Sequence, residues 1–529
     1  MSFSTILNIL PDALAVLVLI LFGLNILLLF MFGLHSYLMV YLYHKRAAYC
    51  QTDREVEYQP LNLKQPGRLP QVTIQLPVYN EFYVVDRLLA AVSQIKWPRH
   101  KLEIQVLDDS TDETRDKLDG LVQRYKRRGF IIKHLHRTKR QGHKAGALKA
   151  GLTLARGGFI AIFDADFVPA SDFLLRTIPF FADPAIGMVQ TRWGHINGNY
   201  SMLTKAQAIG LDGHFVVEQV ARNANQLWMN FNGTGGIWRK QCILDAGNWQ
   251  ADTLTEDFDL SYRAELAGWK FRYFKDVVNP AEIPATIAAY RSQQFRWCKG
   301  SLQTAVKLIP RILGSTFGWK IKAEATVHLL NYSVHPLMVL NILLLLPVLT
   351  IEIWSDMSYT DFPLLVLFAA ASLLGVATFG PLTFYSYSQR ELYQDWRQRL
   401  WYLPMLTILG SGIALSNTRA YLEAVIGKQS AFQRTPKLRI ESQNDLTISR
   451  KKYRQAMDPM FLLEIGMGLY CLGTVYFAVV ADRFLVTGFL LLYAAGFFYI
   501  GLGSLWEVAR QRMHDTGWFQ KTPALSAGR

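Results

Sequence analysis

Carboxylates close two apolar runs early in the chain: Asp108 and Asp109 in "VLDDS", and Asp164 and Asp166 in "IFDADF". An Asp-x-Asp at a strand end can bring both side chains to one divalent cation, and hard cations such as Mg2+ or Mn2+ take carboxylate and phosphate oxygens together. Acidic pairs also simply terminate strands, so one pair alone is compatible with either reading. Between them, "HRTKRQGHKAGALKAG" sets Lys139, Arg140, His143 and Lys144 ahead of a helix start built from small residues. Helix N-termini and glycine backbone favour anions, which suits a diphosphate; a solvated basic loop has the same composition. Further on, "TLTEDFDLSYRAELAGWK" puts Glu256 and Asp257 at a helix start, where acids also act as plain caps. The stretch "AYRSQQFRWCKGSLQT" crowds two rings, an arginine, a lysine and a thiol into residues 295 to 299. The pair His134 and His136 would share one side of a strand, but no third ligand is close in sequence, and structural histidines are expected there.

These residues need a frame, and the surrounding pattern supplies one. "QVTIQLPVYN" is a β-branched run ending in Pro and Asn, as strands do when they enter a loop. "EFYVVDRLLAAVSQI" has helical apolar spacing, "LEIQVLDDST" is a second strand, "DETRDKLDGLVQRYKRRG" a helix, "FIIKHLHR" a strand, "KAGALKAGLTLARGG" a helix and "FIAIFDAD" a strand. Strands alternating with helices predict a mostly parallel sheet whose working edge lies at the carboxyl ends of its strands.

The chain of 529 residues is 51% hydrophobic with a formal charge of +15, and its apolar residues gather in uncharged runs at the two ends. The run from Ala13 to Tyr43 has no Lys, Arg, Asp or Glu and exceeds the about 20 residues needed to cross a bilayer. It lacks the basic start and small-residue cleavage site of a secretory signal, so an uncleaved anchor is expected. His44, Lys45 and Arg46 follow it and, by the positive-inside bias, leave the next domain in the cytoplasm. Further runs cover about 325–351, 362–387, 401–417, 459–480 and 484–506. The run 401–417 holds a Pro and two Gly and leads into "TRAYLEAVIGK", which suits a segment lying in the interface. Had it crossed, Lys428, Arg434, Lys437, Arg439, Arg450, Lys451, Lys452 and Arg454 would lie outside. Five spans are therefore expected. The division is an anchor at 1–50, a cytoplasmic domain at 51–320, a transmembrane hairpin at 321–390, an interfacial helix and loop at 391–458, a second hairpin at 459–507 and a cytoplasmic tail at 508–529. The positive charge suits an anionic leaflet, where each Lys or Arg contributes on the order of 1 kcal/mol. No nucleic-acid module is visible. Cys50, Cys242, Cys298 and Cys471 are scattered without metal or disulfide spacing.

Five short motifs in order give a resemblance: "LPVYNE" (Leu76–Glu81), "LDD" (Leu107–Asp109), "DAD" (Asp164–Asp166), "TED" (Thr255–Asp257) and "QQFRW" with Gln293, Arg296 and Trp297. From about residue 70 to 440 the chain resembles the membrane-embedded family 2 glycosyltransferases, such as the cellulose, chitin and hyaluronan synthases. "VQTRWGHIN", "LDGHFVVEQ", "FNGTGGIWR" and "NTRAYLEAVIGKQSAFQRTPK" look most like the cellulose-synthase-like A and C groups. The resemblance implies an α/β GT-A domain, a Rossmann-like nucleotide-sugar fold, embedded among transmembrane and amphipathic helices. Tyr79 and Asp109, with Asp108 beside it, would then contact the nucleoside, and Lys144 the diphosphate. Asp164 and Asp166 would hold Mg2+ or Mn2+, and Asp257, beside Glu256, would be the general base. Arg296 would hold the leaving diphosphate, Gln293 would help to position it, and Trp297 would stack on the acceptor sugar. Phe231, Asn232, Gly233 and Thr234 match a segment lining the acceptor end, and Thr435 and Lys437 in "FQRTPK" match a loop that closes over the donor.

The implied activity is an inverting, metal-dependent β-glycan synthase that uses UDP-glucose or GDP-mannose, elongates a glycan acceptor and passes it through its own pore. Transfer to a lipid such as ceramide or diacylglycerol is the alternative, since those enzymes share the DxD and QxxRW motifs. A binding-only subunit is disfavoured by the intact acids and Arg296. With only about twenty residues after the last run, no control through a cyclic-dinucleotide-binding barrel is expected, and no feature of the sequence sets an oligomeric state.

Overall fold

The computed structural model describes residues 3–56, 69–354, 362–430, 434–441, 453, 458–480 and 482–515. The start of the expected cytoplasmic domain at 57–68, Phe432 and Gln433 of the loop, the basic residues Arg450, Lys451, Lys452 and Arg454, and most of the expected tail lie outside them.

Seven strands form one sheet in the order β3-β2-β1-β4-β6-β5-β7. They are β1 (Val72–Val78), β2 (Leu102–Asp108), β3 (Ile131–His136), β4 (Phe159–Ile162), β5 (Ile186–His195), β6 (Gly236–Arg239) and β7 (Lys270–Ala281). β1 pairs in parallel with β2 and β4, and β2 with β3, as the strand–helix alternation predicts. β6, which the sequence reading left within an acceptor segment, runs antiparallel between β4 and β5. Two reversals restore the direction, and β7 is parallel to β5. The carboxyl ends of β1, β2, β4, β5 and β7 consequently share one edge.

β1 shows why the frame is rigid. Val72, Ile74, Leu76 and Val78 are buried against the helices Val85–Val92 and Thr114–Arg127, each such side chain contributing about 1.5–3 kcal/mol. The alternate residues Thr73 and Gln75 face the other side, equally buried, and each bonds there to a residue of β2. The Thr73 hydroxyl donates to Glu103 Oε2 at 2.8 Å, and Gln75 Nε2 donates to Gln105 Oε1 at 3.0 Å. Over this polar strip lies the helix His143–Leu154, where a Cβ on Gly151 would fall 2.6 Å from Gln75 Nε2. The helix expected from Glu81 begins only at Val85, because Glu81 to Val84 form a turn that accepts the first helical bonds.

The N-terminal helix runs from Phe3 to Val56. Ala13–Lys45, Asn331–Ile351, Met460–Val480 and Phe484–Arg510 are the described segments long and apolar enough to cross a membrane, which marks an integral membrane protein. The expected run 362–387 lies in the helix Phe362–Leu392, whose first ten side chains are outside the described residues. The run 401–417 breaks at Ile413 between the helices Leu403–Gly412 and Ala414–Val425. Ten residues rise about 15 Å, half of a ~30 Å hydrocarbon core. Small residues let these helices touch: a Cβ on Gly380 would lie 2.3 Å from the Gly33 oxygen, and one on Gly412 2.4 Å from that of Gly496. The sheet domain is fastened to the first span by Asn225 Nδ2, which donates to the Leu42 carbonyl at 3.1 Å, and His35 of that span pairs with Glu324 of the helix Trp319–Leu329 at 3.0 Å. Cys242, Cys298 and Cys471 are buried free thiols, and the Cys50 side chain lies outside the described residues.

Candidate active site

The shared edge of the sheet opens into a cavity of about 160 Å3. Tyr79 follows β1, Asp109 follows β2, and Asp164 and Asp166 follow β4; all four line it. So do Lys144, Asn232, Gly233, Glu256, Asp257, Gln293, Arg296, Trp297, Thr435 and Lys437, from distant parts of the chain. Three expected residues do not. Asp108 is fully buried below the floor, where its Oδ2 accepts from His134 Nε2 at 2.9 Å and His136 Nδ1 at 3.0 Å. These histidines thus serve a structural carboxylate. Phe231 packs edge-on to Trp238 in the core, and the fully buried Thr234 takes the Asp164 amide on its hydroxyl at 2.9 Å.

At the β1–β2 corner, Asn80 adopts a left-handed conformation (φ 53°) and joins the two strand-end loops, its amide N–H donating to Ser110 Oγ and its Oδ1 accepting the Thr111 amide. Arg137 grips Asp109 through two bonds, Nε to Oδ1 at 2.7 Å and Nη2 to Oδ2 at 2.6 Å. The Arg140 guanidinium lies 3.6 Å from the Tyr79 ring centroid, and burial draws its pKa down.

Next along the edge, Lys144 Nζ pairs with Asp164 Oδ1 at 2.6 Å and donates to the Gly233 carbonyl at 2.9 Å. Burial works against the Lys144 charge, but Asp164 and Glu256 outweigh it and raise its pKa. Gly233 has φ +81° and a Cβ there would lie 2.8 Å from Asp257 Oδ2, so only glycine lets the chain pass between lysine and acid. Asp257 is pushed up to about 7, first by desolvation and then by Glu256, with Lys144 opposing. Helix Ile287–Leu313, which carries Gln293, Arg296 and Trp297, approaches this turn through Gly300, where a Cβ would meet Thr255 at 2.5 Å. Burial lowers the Arg296 pKa against the pull of Glu256, Asp164 and Asp257.

The segment 434–441 covers the cavity. Lys437 Nζ pairs with Asp166 Oδ2 at 2.7 Å and Arg434 Nη1 with Glu81 Oε1 at 3.2 Å. Glu282 Oε2 accepts the amides of Leu438 at 3.2 Å and Arg439 at 3.0 Å. Glu81 is itself pushed up to about 7 by burial, with Arg434 opposing and Asp166 adding to the rise. Sequence reasoning gave Glu81, Glu282, Trp193 and His195 no role, although all four line the cavity. Glu81 stood in a quoted motif and was discoverable; Glu282 is a lone acid in "NPAEIPAT" with no pattern around it.

The donor set suits a hard cation. Asp166 Oδ1 is buried with no hydrogen-bond partner, and no cluster of three or more His, Cys, Asp or Glu ligands occurs among the described residues. Two carboxylates leave the remaining positions to phosphate oxygens and water, the pattern Mg2+ favours.

Residues 70–300 match the family model described as "Glycosyltransferase like family 2". They form a family 2 glycosyltransferase domain. The transferase domain has the mixed α/β sheet of a GT-A fold, with its motifs at the strand ends. The chain is 44% identical over 255 residues to probable glucomannan 4-beta-mannosyltransferase 7 of Oryza sativa subsp. japonica, covering 47% of this chain and 44% of that one. It is 41% identical over 267 residues to glucomannan 4-beta-mannosyltransferase 1 of Cyamopsis tetragonoloba, covering 50% and 51%. The chain thus spans about half the length of the curated relatives it matches. Among solved structures it is similar to mannosyltransferase PcManGT from Pyrobaculum calidifontis in complex with GDP-Man and Mn2+, at 18% identity and a TM-score of 0.47 over 76% of this chain and 100% of that one.

Proposed function

We propose that this protein is an inverting membrane glycosyltransferase that builds a β-linked polysaccharide of mannan or glucan type from a nucleotide sugar. The observation that carries this reading is the gathering of Asp164, Asp166, Asp257, Arg296 and Lys144 around one cavity at the carboxyl edge of the sheet. Tyr79, Asp109 and Arg140 bind the nucleoside end. Lys144 and Arg296 hold the diphosphate, where guanidinium and ammonium charge offsets the charge that develops on the leaving group. Asp164 and Asp166 would bind Mg2+ or Mn2+, which when present adds to that neutralisation. Asp257 takes the proton of the acceptor hydroxyl as its oxygen attacks the anomeric carbon and the diphosphate leaves from the opposite face. An α-linked donor therefore gives a β-linked product. Trp297 supports the acceptor ring, and Thr435 and Lys437 close the site.

GDP-mannose is the favoured donor, because the relatives are named glucomannan 4-beta-mannosyltransferases, with UDP-glucose the second. The domain faces the cytoplasm, five helices span, and the product leaves through the bundle. The test is incorporation of radiolabelled sugar by the purified protein, donor by donor, with linkage analysis of the product. A β-linked polymer is expected from GDP-mannose; a lipid-soluble monoglycoside would replace this reading with transfer to lipid, and no donor consumption would remove it.

A further inference from the structure

Behind the cavity wall the helix Met202–Asp212 widens into a π turn, Gly213–Glu218, and resumes as Gln219–Ala224. Wide turns of this kind are rare and concentrate at functional sites. Gly213 brings this one close to the helix Phe362–Leu392, where a Cβ would fall 2.6 Å from the Tyr385 ring. The next residue, His214, does not line the cavity and has no part in the mechanism above.

What His214 touches does line it. Asn232 Nδ2 donates to His214 Nε2 at 2.9 Å, and Asn232 Oδ1 accepts from Gln219 Nε2 at 2.9 Å. The Asn232 backbone N–H donates to Gln190 Oε1 at 3.0 Å. Both ends of the side-chain amide are thus gripped from the π turn and its continuation, each by one bond, which leaves one N–H and one lone pair of the amide for the cavity. Asn232 immediately precedes Gly233, which passes between Lys144 and Asp257, so this amide adjoins the proposed base.

The partners of His214 fix its form. An amide nitrogen only donates, so Nε2 accepts; Glu218 Oε2, 2.9 Å from Nδ1, is a carboxylate oxygen and accepts, so Nδ1 carries the proton. Burial opposes the Glu218 charge, but Arg222, whose Nε donates to Oε1 at 3.0 Å, outweighs it with His214 and His328 and holds the carboxyl well below its usual range. Arg222 Nη1 in turn faces Glu324 Oε2 at 3.8 Å, and Glu324 pairs with His35 of the first span. The line of charges behind the ring therefore ends in the membrane bundle.

We propose that His214 is a positioning residue: its neutral ring holds the Asn232 amide in one orientation at the cavity wall, and sugar transfer depends on that orientation. The proposal rests on the glycosyltransferase reading above. The test uses the purified full chain in Mn2+ with the donor that it consumes, GDP-mannose or UDP-glucose. It compares His214→Phe, which keeps a ring without an acceptor, His214→Ala, His214→Gln, whose Oε1 accepts where Nε2 did, Asn232→Ala, and His214→Phe combined with Asn232→Ala. Two quantities are read: turnover at saturating donor, and affinity for the matching nucleoside diphosphate, which also reports a folded domain. His214→Phe, or His214→Ala where the first does not fold, should lose at least about fivefold in turnover with diphosphate affinity within about twofold, and His214→Gln should regain most of that loss. The combined variant should be no slower than Asn232→Ala alone, because a residue that acts through another has nothing left to remove once its partner is gone. A smaller loss, a loss matched by diphosphate affinity, a Gln variant that regains less, or losses that multiply in the combined variant would overturn the proposal. If the unaltered chain consumes neither donor, the glycosyltransferase reading itself falls, and the role of His214 with it.

Discussion

Asp257 can act as a base near neutrality because desolvation and the adjacent Glu256 push its pKa up to about 7 while Lys144 restrains the rise. The proposed base would work as a carboxylate, so turnover should fall about tenfold per pH unit below that value. Glu256→Gln removes a like charge and should move this acidic limb to lower pH; a limb that stays in place would show that Asp257 is not the titrating group. Asp257→Asn should keep nucleotide affinity and lose about 10²- to 10⁴-fold in turnover. Linkage runs the other way: folded Asp257 holds its proton far more tightly than the ordinary value of 3.8 allows. Its contribution to stability is complete below that value and is lost as pH rises through about 7. The site should thus be most active where this residue least favours folding. At this scale the sequence was informative wherever a motif is contiguous, as in "TED" and "QQFRW". It could not choose between Asp108 and Asp109. Neighbouring strand residues point to opposite sides, and only the pairing with β3 shows that Asp108 is taken by His134 and His136.

Among the elements, helix Ile287–Leu313 is locked to Ala414–Val425 by Lys299, which is fully buried and pairs with Glu423 Oε2 at 2.8 Å. Glu423 also accepts from Arg419 and Lys428, and the covering segment begins soon after. Glu423→Ala leaves a buried ammonium without its carboxylate and should cost about 3–5 kcal/mol, read as a lowered unfolding temperature in detergent. Lys299→Met with Glu423→Leu should recover most of it; equal losses in both would mean that packing, not charge, is responsible. The segment 434–441 buries Leu438 and Ile440 apart from the main core clusters of the sheet domain, and its polar bonds run mainly to Glu81, Asp166, Asp86 and Glu282. Replacing Thr435 and Lys437 with Ala should therefore lower turnover at least about tenfold without unfolding the domain. Protection of this segment from protease by nucleotide would agree, and full activity would exclude a lid. The strand–helix rhythm was legible because burial on alternate faces dictates it. Strand β6 was not, because four residues of "GIWR" carry no alternation and become a strand only by filling the gap between β4 and β5.

For the whole molecule, the covering segment fixes sidedness. Glu441 bonds to Arg87, so residues 434–441 lie on the same side as the sheet domain. The chain must then cross an even number of times between that domain and the segment, which the helices Val334–Trp354 and Phe362–Leu392 would supply if both span, and which the short Leu403–Gly412 would not disturb. Glu441→Cys should accordingly be labelled from the cytoplasmic face; labelling of intact cells from outside would require another crossing. The sequence pointed to this through charge alone, since a run of apolar residues does not reveal where a helix breaks. The first helix carries a consequence of another kind. Its 54 residues extend about 80 Å, far beyond a ~30 Å hydrocarbon core. Beyond its middle it is joined to the sheet domain through Leu42 with Asn225, and to the helix Trp319–Leu329 through His35 with Glu324. A bilayer too thin for the apolar stretch makes such a helix tilt, and a helix bonded to the domain cannot tilt without shifting it. Catalysis should therefore register membrane thickness: turnover in nanodiscs should pass through a maximum as acyl chains lengthen, and breaking both attachments should flatten that curve while leaving the protein in the membrane.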